Sequence, residues 1–380
     1  MTAILTDMMV TNGKTMRKKT IAVDGGLIKS VGGPADAIKK IDLRKYIVMP
    51  GFIDIHAHGG GGHDAIDATV RAVNGISEHK IKEGVTTFCP ATMTADFKKI
   101  KDAVRAAGEA QKKGTPGAKV AGVFIEGPYI NPQVRGAHPL EHIRGISLKE
   151  IESLLGLCGG VRSILLSPEL PDAVGVIAAL RQKNTVVRIG HSSAEFFQAN
   201  EAIAAGASVA VHTYNAMRPL NHREPGIVGA VLNSSDVYCE IICDLVHVHP
   251  AMIKILLGSK GARKTVLVTD SMRAAGLPDG TYDLGGETAV VKDGVARNKD
   301  GALAGSTTTL AACVKNMCIS VGASLADAVM SATESPARAL GIFDGVGSIE
   351  EGKCADIIAL DKDLNVKFVM VGGEVKLRVL

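Results

Sequence analysis

The sequence predicts an α/β fold built around a parallel sheet. Eight short apolar runs of strand length alternate with longer stretches of helical character, and this alternation is typical of strand–helix units. Several runs are almost continuous in Val, Ile and Leu, as expected for parallel strands buried on both faces. The units extend over roughly 250 to 300 residues, the usual length of a TIM-like (β/α)8 barrel. A doubly wound, dinucleotide-binding sheet is disfavoured, because no Gly-x-Gly-x-x-Gly motif follows the first strand.

The predicted barrel strands follow one another along the chain. They are residues 52–56, 86–89, 120–125, 163–166, 186–189, 208–211, 237–243 and 265–269. After the last of them, the stretch 278–299 contains two Asp-Gly pairs, one Gly-Gly pair and alternating residues. Such turn signals between short alternating segments are typical of hairpins. We therefore expect a β insertion near 278–299, inside a barrel that spans residues 51–345.

Both ends of the chain carry short alternating segments separated by turn signals. They lie at 3–10, 20–23 and 27–31 near the start, and at 356–360, 366–371 and 374–379 near the end. Each group is too small to form a stable domain alone. The sequence therefore predicts one small β-sandwich module assembled from residues 1–50 and 346–380.

Composition excludes several classes of protein. The 43 Lys and Arg against 39 Asp and Glu give a net charge of +4 without a long run of one sign, and aromatic residues make up only 3%. These values disfavour a nucleic-acid partner. The seven cysteines are odd in number and scattered, as expected for reduced thiols in the cytoplasm. No signal peptide or membrane-spanning stretch is evident, so we expect a cytoplasmic protein without a membrane partner.

Polar residues end nearly every predicted barrel strand, and in barrels of this kind the active site lies at that end. The first strand ends in His56 and His58, whose side chains point to the same face because they are two residues apart. Later strands end in Glu126, His191, His212, His247 and Asp270. Taken singly, His191 or His212 is more often a core histidine, and Asp270 could be the N-cap of the helix that follows. Together, these side chains at one end of one barrel are not explained by packing.

Imidazoles combined with carboxylates suit Zn, Fe or a related divalent ion. Such an ion lowers the pKa of a bound water to about 7, so metal-assisted hydrolysis is the predicted reaction class. Asp270 is placed to take the proton from that water and pass it to a leaving group. His247 is the candidate to polarise the substrate carbonyl, with His249 and His138 as competing choices.

Longer motifs resemble a known family. Residues 49–58 (MPGFIDIHAH), the set of polar strand ends and residues 351–360 (EGKCADIIAL) resemble the amidohydrolase superfamily over nearly the whole chain. Within it, the chain is similar to the branch that deacetylates N-acetylated hexosamine phosphates. The motifs concerned are 126–132 (EGPYINP), 136–139 (GAHP), 212–217 (HTYNAM), 223–226 (REPG) and 303–306 (LAGS).

The resemblance implies roles for individual residues. The principal metal ligands would be Glu126, His191 and His212, and the retained His56 and His58 leave room for a second ion. Many superfamily members bridge two ions through a carboxylated Lys after the fourth strand. Here residues 166–169 (LSPE) contain no Lys, which is consistent with a site centred on Glu126. The sequence leaves open whether each subunit holds one or two ions and whether the ion is Zn, Fe or another.

The resemblance also assigns the remaining site residues by motif. Asp270 would be the general base and acid, and His247 the group that polarises the carbonyl. His138 would line the sugar site, while Asn215, the backbone at Ala216 and Arg223 would grip the phosphosugar. A planar guanidinium suits phosphate because it donates two parallel hydrogen bonds.

The implied reaction is hydrolysis of the acetamide of N-acetylglucosamine 6-phosphate to glucosamine 6-phosphate and acetate, in amino-sugar catabolism and cell-wall sugar recycling. The resemblance also implies a homodimer, in which the partner can contribute to the phosphate site. Three alternatives stay open. The first is the same reaction on N-acetylgalactosamine 6-phosphate. The second is a cyclic-amide hydrolase or deaminase, which would not need Arg223. The third is a non-catalytic metal-binding sugar-phosphate sensor, which has little reason to keep both Asp270 and His247.

Overall fold

The computed structural model describes residues 1–33, 37–157 and 160–380. Within these ranges Cys89, Cys239, Cys243, Cys313, Cys318 and Cys354 are unpaired thiols, and the remaining cysteine, Cys158, lies outside the described residues. No helix in the described ranges is long and apolar enough to cross a bilayer.

The chain begins with strands that form one half of a mixed sheet. They are β1 (Thr2–Thr11), β2 (Lys14–Asp24), β3 (Leu27–Gly32), β4 (Lys39–Asp42) and β5 (Ile47–Pro50). The two-residue turn between β1 and β2 consists of Asn12 and Gly13, with φ of 50° and 67°. This is the Asn-Gly hairpin that the sequence indicates, because both central residues of such a turn need positive φ.

A parallel barrel follows. Its strands and their short neighbours are β6 (Phe52–Ala57), β7 (Gly59–Gly60), β8 (His63–Asp64), β9 (Val85–Thr92), β10 (Lys119–Val120), β11 (Val123–Ile125), β12 (Val161–Leu166), β13 (Val186–Ile189), β14 (Ala207–Ala210), β15 (Tyr238–Ile242) and β16 (Thr265–Val268). Strands β7 and β8 form a separate hairpin, and β10 pairs only with β9. The rest pair in the order β6-β9-β11-β12-β13-β14-β15-β16. A parallel bridge between Ala57 and Ser271 brings the last strand back to the first.

Helices cover the outside of the barrel. They are α1 (Val70–Lys82), α2 (Phe97–Lys113), α3 (Leu148–Leu155), α4 (Ala173–Gln182), α5 (Phe196–Ala205), α6 (Gly226–Asn233), α7 (Pro250–Lys264), α8 (Leu310–Ile319), α9 (Leu325–Ala332) and α10 (Glu334–Ala339). Several begin at side chains that accept a hydrogen bond from the first turn, as N-caps do. These caps are Thr69, Asp96, Ser147, Thr309 and Ser324.

The predicted fold class is confirmed. Every predicted barrel run overlaps a strand of the barrel. The run 120–125 is divided between β10 and β11, because Gly122 has a φ of 109° that interrupts extended pairing. Apolar side chains such as Ile53, Phe124 and Leu165 fill the barrel interior, so the barrel is a packed core rather than a pore.

The insertion and the C-terminal strands complete the fold. They are β17 (Gly280–Leu284), β18 (Glu287–Lys292), β19 (Val295–Asn298), β20 (Ile357–Leu360), β21 (Val366–Val371) and β22 (Glu374–Arg378). Strands β17 to β19 form an antiparallel sheet, and β20 pairs with β5, so both ends of the chain share the sheet β22-β21-β20-β5-β1-β2-β3. Ile4 and Ile21 from the N-terminal half share an apolar core with Phe368 from the C-terminal half. Neither β4 nor β5 was predicted from the sequence.

Candidate active site

A cluster of buried polar side chains lies at the carboxyl end of the barrel. It comprises His56, His58, Glu126, His191, His212 and Asp270. Each stands at or just after the end of a barrel strand, where the sequence analysis placed it. Because the carboxyl ends of parallel strands meet on one face, residues as far apart in the sequence as His56 and Asp270 come together here.

Glu126 lies at the centre and divides the cluster into two groups. Its Oε2 is 2.8 Å from His58 Nε2 and 3.2 Å from His56 Nε2. Its Oε1 is 3.3 Å from His212 Nε2 and 3.5 Å from His191 Nε2. Together with Asp270, the first set forms what we call the β6 group (His56, His58, Glu126 and Asp270). The second set, Glu126, His191 and His212, is the β13–β14 group. In each group the candidate ligand atoms lie within 4.8 Å of one another.

The residues of both groups fit a divalent cation. Glu126 Oε1 and Asp270 Oδ1 are buried and accept no hydrogen bond, although a buried carboxylate oxygen without a partner is costly. His191 Nε2 and His212 Nε2 face each other 3.1 Å apart. A cation held by these residues would supply the partner that the two carboxylate oxygens lack. The donor set of imidazole and carboxylate suits Zn or Fe.

Both carboxylates are held in the ionised form. Burial raises the pKa of Asp270, but the positive charges of His56 and His58 outweigh it and bring that pKa well below the usual range. Burial likewise raises the pKa of Glu126, and the opposing effects of His56, His191 and His212 lower it well below the usual range. Ionised carboxylates can coordinate a cation, and Asp270 can also accept a proton.

The backbone turns sharply where the cluster residues leave their strands. His191, His212 and Asp270 have φ of 43°, 26° and 49°, and Ala216 has a φ of 50°. Non-glycine residues rarely adopt this left-handed region, and such residues concentrate at functional sites. The turn ends the strand and redirects the side chain toward the barrel axis.

The residue that follows Glu126 has to be a glycine, because the backbone there lies close to Thr94 and His138. Gly127 has a φ of 69°, and a Cβ there would lie 1.9 Å from Thr94 Oγ1. The backbone N–H of Thr94 donates to His138 Nδ1 at 3.2 Å. The proton of neutral His138 is therefore on Nε2, which faces Glu126 Oε2 at 3.9 Å. Burial and the neighbouring charge of His191 lower the pKa of His138 well below its usual value, so this ring is neutral.

The three histidines considered as the group that polarises the substrate carbonyl, His247, His249 and His138, lie in different places. His247 lines the cavity above the cluster, and its Nδ1 lies 2.6 Å from Asp244 Oδ2. This contact leaves Nε2 as the ring nitrogen available to a ligand. His249 is exposed, and its Nδ1 accepts the N–H of Ala251 at 3.2 Å as the N-cap of α7. Of the three histidines weighed from the sequence, His247 and His138 therefore remain as groups that line the cavity.

A cavity of about 320 Å³ lies over the cluster. Every cluster residue except His56 lines it, as do His138 and His247, and its wall also includes Met93, Asn215, Ala216, Leu284 and Leu303. Leu284 comes from the β17–β19 insertion, so the insertion forms part of the wall. Arg223 lies in a separate groove together with Arg218 and Glu224. Among the residues described, no Lys or Arg lines the cavity itself, and a single chain does not bring Arg223 to it.

Two residues of the site were missed by the sequence analysis. Arg188 on β13 and Glu240 on β15 lie inside the barrel with 0% exposure. Glu240 Oε2 is 3.0 Å from His56 Nδ1. The signal that could have revealed both is a single charged residue within an otherwise apolar strand, because such a residue is buried only when it is paired.

A barrel with a cluster of histidines and carboxylates at its carboxyl end has the architecture of a metal-dependent hydrolase. Residues 47–376 match the model of the amidohydrolase family, and the chain belongs to that family. The resemblance inferred from the motifs is thereby confirmed.

Its similarity to individual proteins extends over most of the chain. It is 40% identical over 329 residues to the N-acetylgalactosamine-6-phosphate deacetylase of Escherichia coli O157:H7, covering 86% of this chain and 87% of that protein. It is 39% identical over 340 residues to the N-acetylglucosamine-6-phosphate deacetylase of Vibrio furnissii, covering 89% and 84%. A variant of the Mycobacterium smegmatis N-acetyl-D-glucosamine-6-phosphate deacetylase, solved in complex with N-acetyl-D-glucosamine-6-phosphate, superposes with a TM-score of 0.94 at 32% identity and covers 99% of both chains.

Proposed function

We propose that this enzyme hydrolyses the acetamide of N-acetyl-D-glucosamine 6-phosphate to D-glucosamine 6-phosphate and acetate, in amino-sugar catabolism. The observation that carries the proposal is the position of Asp270. Its carboxylate is 3.3 Å from His58 Nε2 and 3.4 Å from His56 Nε2, within a cluster suited to a metal ion and open to the cavity. A sugar-phosphate sensor would not need an ionised carboxylate at that point. The similarity to sugar-phosphate deacetylases supports the choice of substrate class.

The proposal assigns the metal-binding residues by group. Glu126, His191 and His212 would hold one divalent ion, Zn or Fe, and His56 and His58 would take part in holding a second. An ion of this type, when bound, would polarise the acetyl carbonyl and lower the pKa of a bound water to about 7. The orphaned oxygens of Glu126 and Asp270 support this assignment.

The proton transfers then fall to this chain's own residues. Asp270, held ionised by its neighbours, accepts a proton from the attacking water. The protonated Asp270 next donates to the amine nitrogen as the C–N bond breaks, so one carboxyl group serves as base and then as acid. With its Nδ1–H directed to Asp244, the ring of His247 donates from Nε2 when it is protonated on both nitrogens, and this N–H binds the acetyl oxygen, where negative charge develops in the transition state. His138 presents its Nε2–H to the sugar and orients it.

We propose that the phosphate is bound between two copies of the chain. Asn215 and the backbone at Ala216 line the cavity and would hold the sugar phosphate from one side. Arg223 would come from the second subunit of a homodimer, since the described wall of the cavity contains no Lys or Arg side chain. We further place the enzyme in the cytoplasm, on the basis of the unpaired thiols among its described cysteines.

Release of acetate tests the proposal directly. The purified protein should be assayed with N-acetylglucosamine 6-phosphate, its galactosamine epimer and both sugars without phosphate. We expect the highest kcat/KM with the glucosamine epimer and at least a tenfold loss without phosphate. The similarity to the 40% identical E. coli relative favours the galactosamine epimer as the second candidate. A higher kcat/KM with that epimer would replace the proposed substrate, and binding without any release of acetate would contradict an enzymatic role.

A further inference from the structure

A charged pair is buried inside the barrel directly beneath the β6 group. Arg188 and Glu240 have 0% exposure, and Arg188 Nη1 forms an ion pair with Glu240 Oε1. The other guanidinium nitrogens are also used. Nη2 donates to the carbonyl of Ile55 at 3.0 Å, and Nε donates to Ser163 Oγ at 2.9 Å. The guanidinium is therefore fixed from several sides, and it fixes the carboxylate of Glu240 in turn.

The second oxygen of Glu240 contacts both groups of the site. Glu240 Oε2 lies 3.0 Å from His56 Nδ1 and accepts the backbone N–H of His212 at 3.3 Å. A carboxylate paired with an arginine only accepts hydrogen bonds. His56 must therefore carry a proton on Nδ1. In the neutral ring, the form that can bind a cation, this leaves the lone pair on Nε2, which is 3.2 Å from Glu126 Oε2.

Packing holds the same ring in place. The Phe124 ring meets the His56 ring edge-on with 4.8 Å between the ring centroids. The guanidinium of Arg188 lies over the same Phe124 ring, with its Cζ 3.8 Å from the ring centroid. A buried ion pair is expensive, and apolar residues of similar volume are often at least as stable. This pair is better explained by what it does to His56 than by a contribution to stability.

We propose that Glu240, held by Arg188, is a positioning residue that keeps the proton of His56 on Nδ1 and so frees His56 Nε2 to bind a divalent ion. Because the same carboxylate also holds the backbone of His212, it links the β6 group to the β13–β14 group. The proposal rests on the metal-dependent function proposed above. Its test, however, uses neither substrate nor turnover.

The substitution Glu240→Gln removes the negative charge of this side chain and keeps its shape. Arg188 has only donors, so it takes the amide oxygen of the new side chain and turns the amide N–H toward His56. His56 Nδ1 then has to accept a hydrogen bond from this amide N–H. The proton of the neutral His56 ring moves to Nε2, where it prevents coordination of a cation. Loss of a group that orients a metal ligand typically costs about 10- to 100-fold in metal affinity.

The experiment combines two measurements on the full chain. Long-range ¹H–¹⁵N spectra of the zinc-loaded protein report which nitrogen of each histidine carries a proton, and the spectrum of His56→Asn identifies the His56 signals. Competition with a chromophoric chelator gives the zinc affinity of the binding step that His56→Asn removes. We expect a protonated Nδ1 in the wild type. In Glu240→Gln we expect a proton on Nε2 and 10- to 100-fold weaker zinc binding at that step.

The control is Glu334→Gln. Glu334 is a glutamate with 2% exposure whose Oε1 accepts from Arg338 Nε at 2.8 Å, and it belongs to α10. It should leave zinc affinity and the His56 spectrum unchanged. A wild-type spectrum with the His56 proton on Nε2 would overturn the proposal even if Glu240→Gln failed to fold, and so would a folded Glu240→Gln with unchanged zinc affinity. A wild type that releases no acetate would instead refute the proposed function and leave this result standing.

Discussion

The backbone N–H of Asp270 donates a hydrogen bond to the backbone carbonyl of His56 across 2.9 Å. This bond joins the end of β16 to β6 and thereby helps to close the barrel. The side chains of the same two residues face each other, with Asp270 Oδ1 3.4 Å from His56 Nε2. Barrel closure therefore sets the distance between Asp270, the candidate base, and His56, the first candidate metal ligand.

Asp270→Asn should abolish turnover while leaving metal content largely intact. The amide has the same shape as the carboxylate but cannot take a proton from water. General base catalysis typically contributes about 10²- to 10⁴-fold, so we expect kcat to fall by at least that factor. Acetate release and metal analysis of the same sample measure the two effects. Activity within a fewfold of the wild type would refute the role assigned to Asp270.

Removal of divalent ions should inactivate the enzyme reversibly. Chelation should eliminate acetate release, and Zn²⁺ or Fe²⁺ should restore it. The melting temperature should fall on chelation, because an ion that binds only the folded state stabilises it. Glu126→Gln is the informative control, since it replaces the carboxylate shared by both groups. Its melting temperature should respond little to chelator, and an unchanged wild-type activity after exhaustive chelation would exclude a metal-dependent reaction.

Arg223→Ala should raise KM for the phosphorylated sugar far more than for the sugar without phosphate. If Arg223 acts on the site of the partner subunit, mixing Arg223→Ala with Asp270→Asn should restore activity. Each mixed dimer then holds one site with an intact Asp270 and an intact Arg223. Random exchange would return roughly a quarter of wild-type activity in a symmetric dimer. Mixtures no more active than the average of their components would assign Arg223 to the site of its own chain, and an unchanged KM in Arg223→Ala would show that it has no role.

Lys80→Met should destabilise the fold strongly. Lys80 has 0% exposure, and its Nζ lies 2.9 Å from Asp54 Oδ2 and 3.2 Å from Glu83 Oε2. Removing the ammonium leaves two buried carboxylates without their cation, which costs about 3–5 kcal/mol. The free energy of unfolding in urea measures this loss.

The surroundings of Lys80 add an effect on catalysis. Its Nζ also donates to Thr269 Oγ1 at 3.2 Å and to Ser271 Oγ at 3.0 Å, and these residues flank Asp270. We therefore expect kcat to fall as well. Lys98→Met is the matched control, because Lys98 forms a surface ion pair with Asp102 and is 84% exposed. Equal stability losses for the two variants would contradict the account of the buried cluster.

Local sequence patterns were sufficient to predict most strands of the barrel. Apolar runs bounded by polar residues located its strands, since burial on both faces demands continuous apolar sequence. The Asp-Gly and Gly-Gly pairs located the inserted hairpins for the same local reason. Strands β4 and β5 escaped detection because they are short, and because β5 is held by pairing with β20 from the far end of the chain.

Charged residues inside the barrel were not predictable in the same way. Arg188 and Glu240 are separated by 52 positions, and His56 and Glu240 by 184. Read along the chain, Arg188 and Glu240 are each an isolated charged residue within an apolar strand. Only its partner across the barrel explains how its charge can be buried.

The sequence by itself determined the barrel, the identity of the strand-end histidines and carboxylates, and membership of the amidohydrolase family, because each depends on local spacing and on motifs. The tertiary structure decided which of those side chains meet. It placed Glu126 between two groups, assigned His249 to a helix cap and left Arg223 outside the cavity of its own chain. The physical reason is that coordination and ion pairing require atoms within a few ångströms of one another, and only the folded barrel determines those distances.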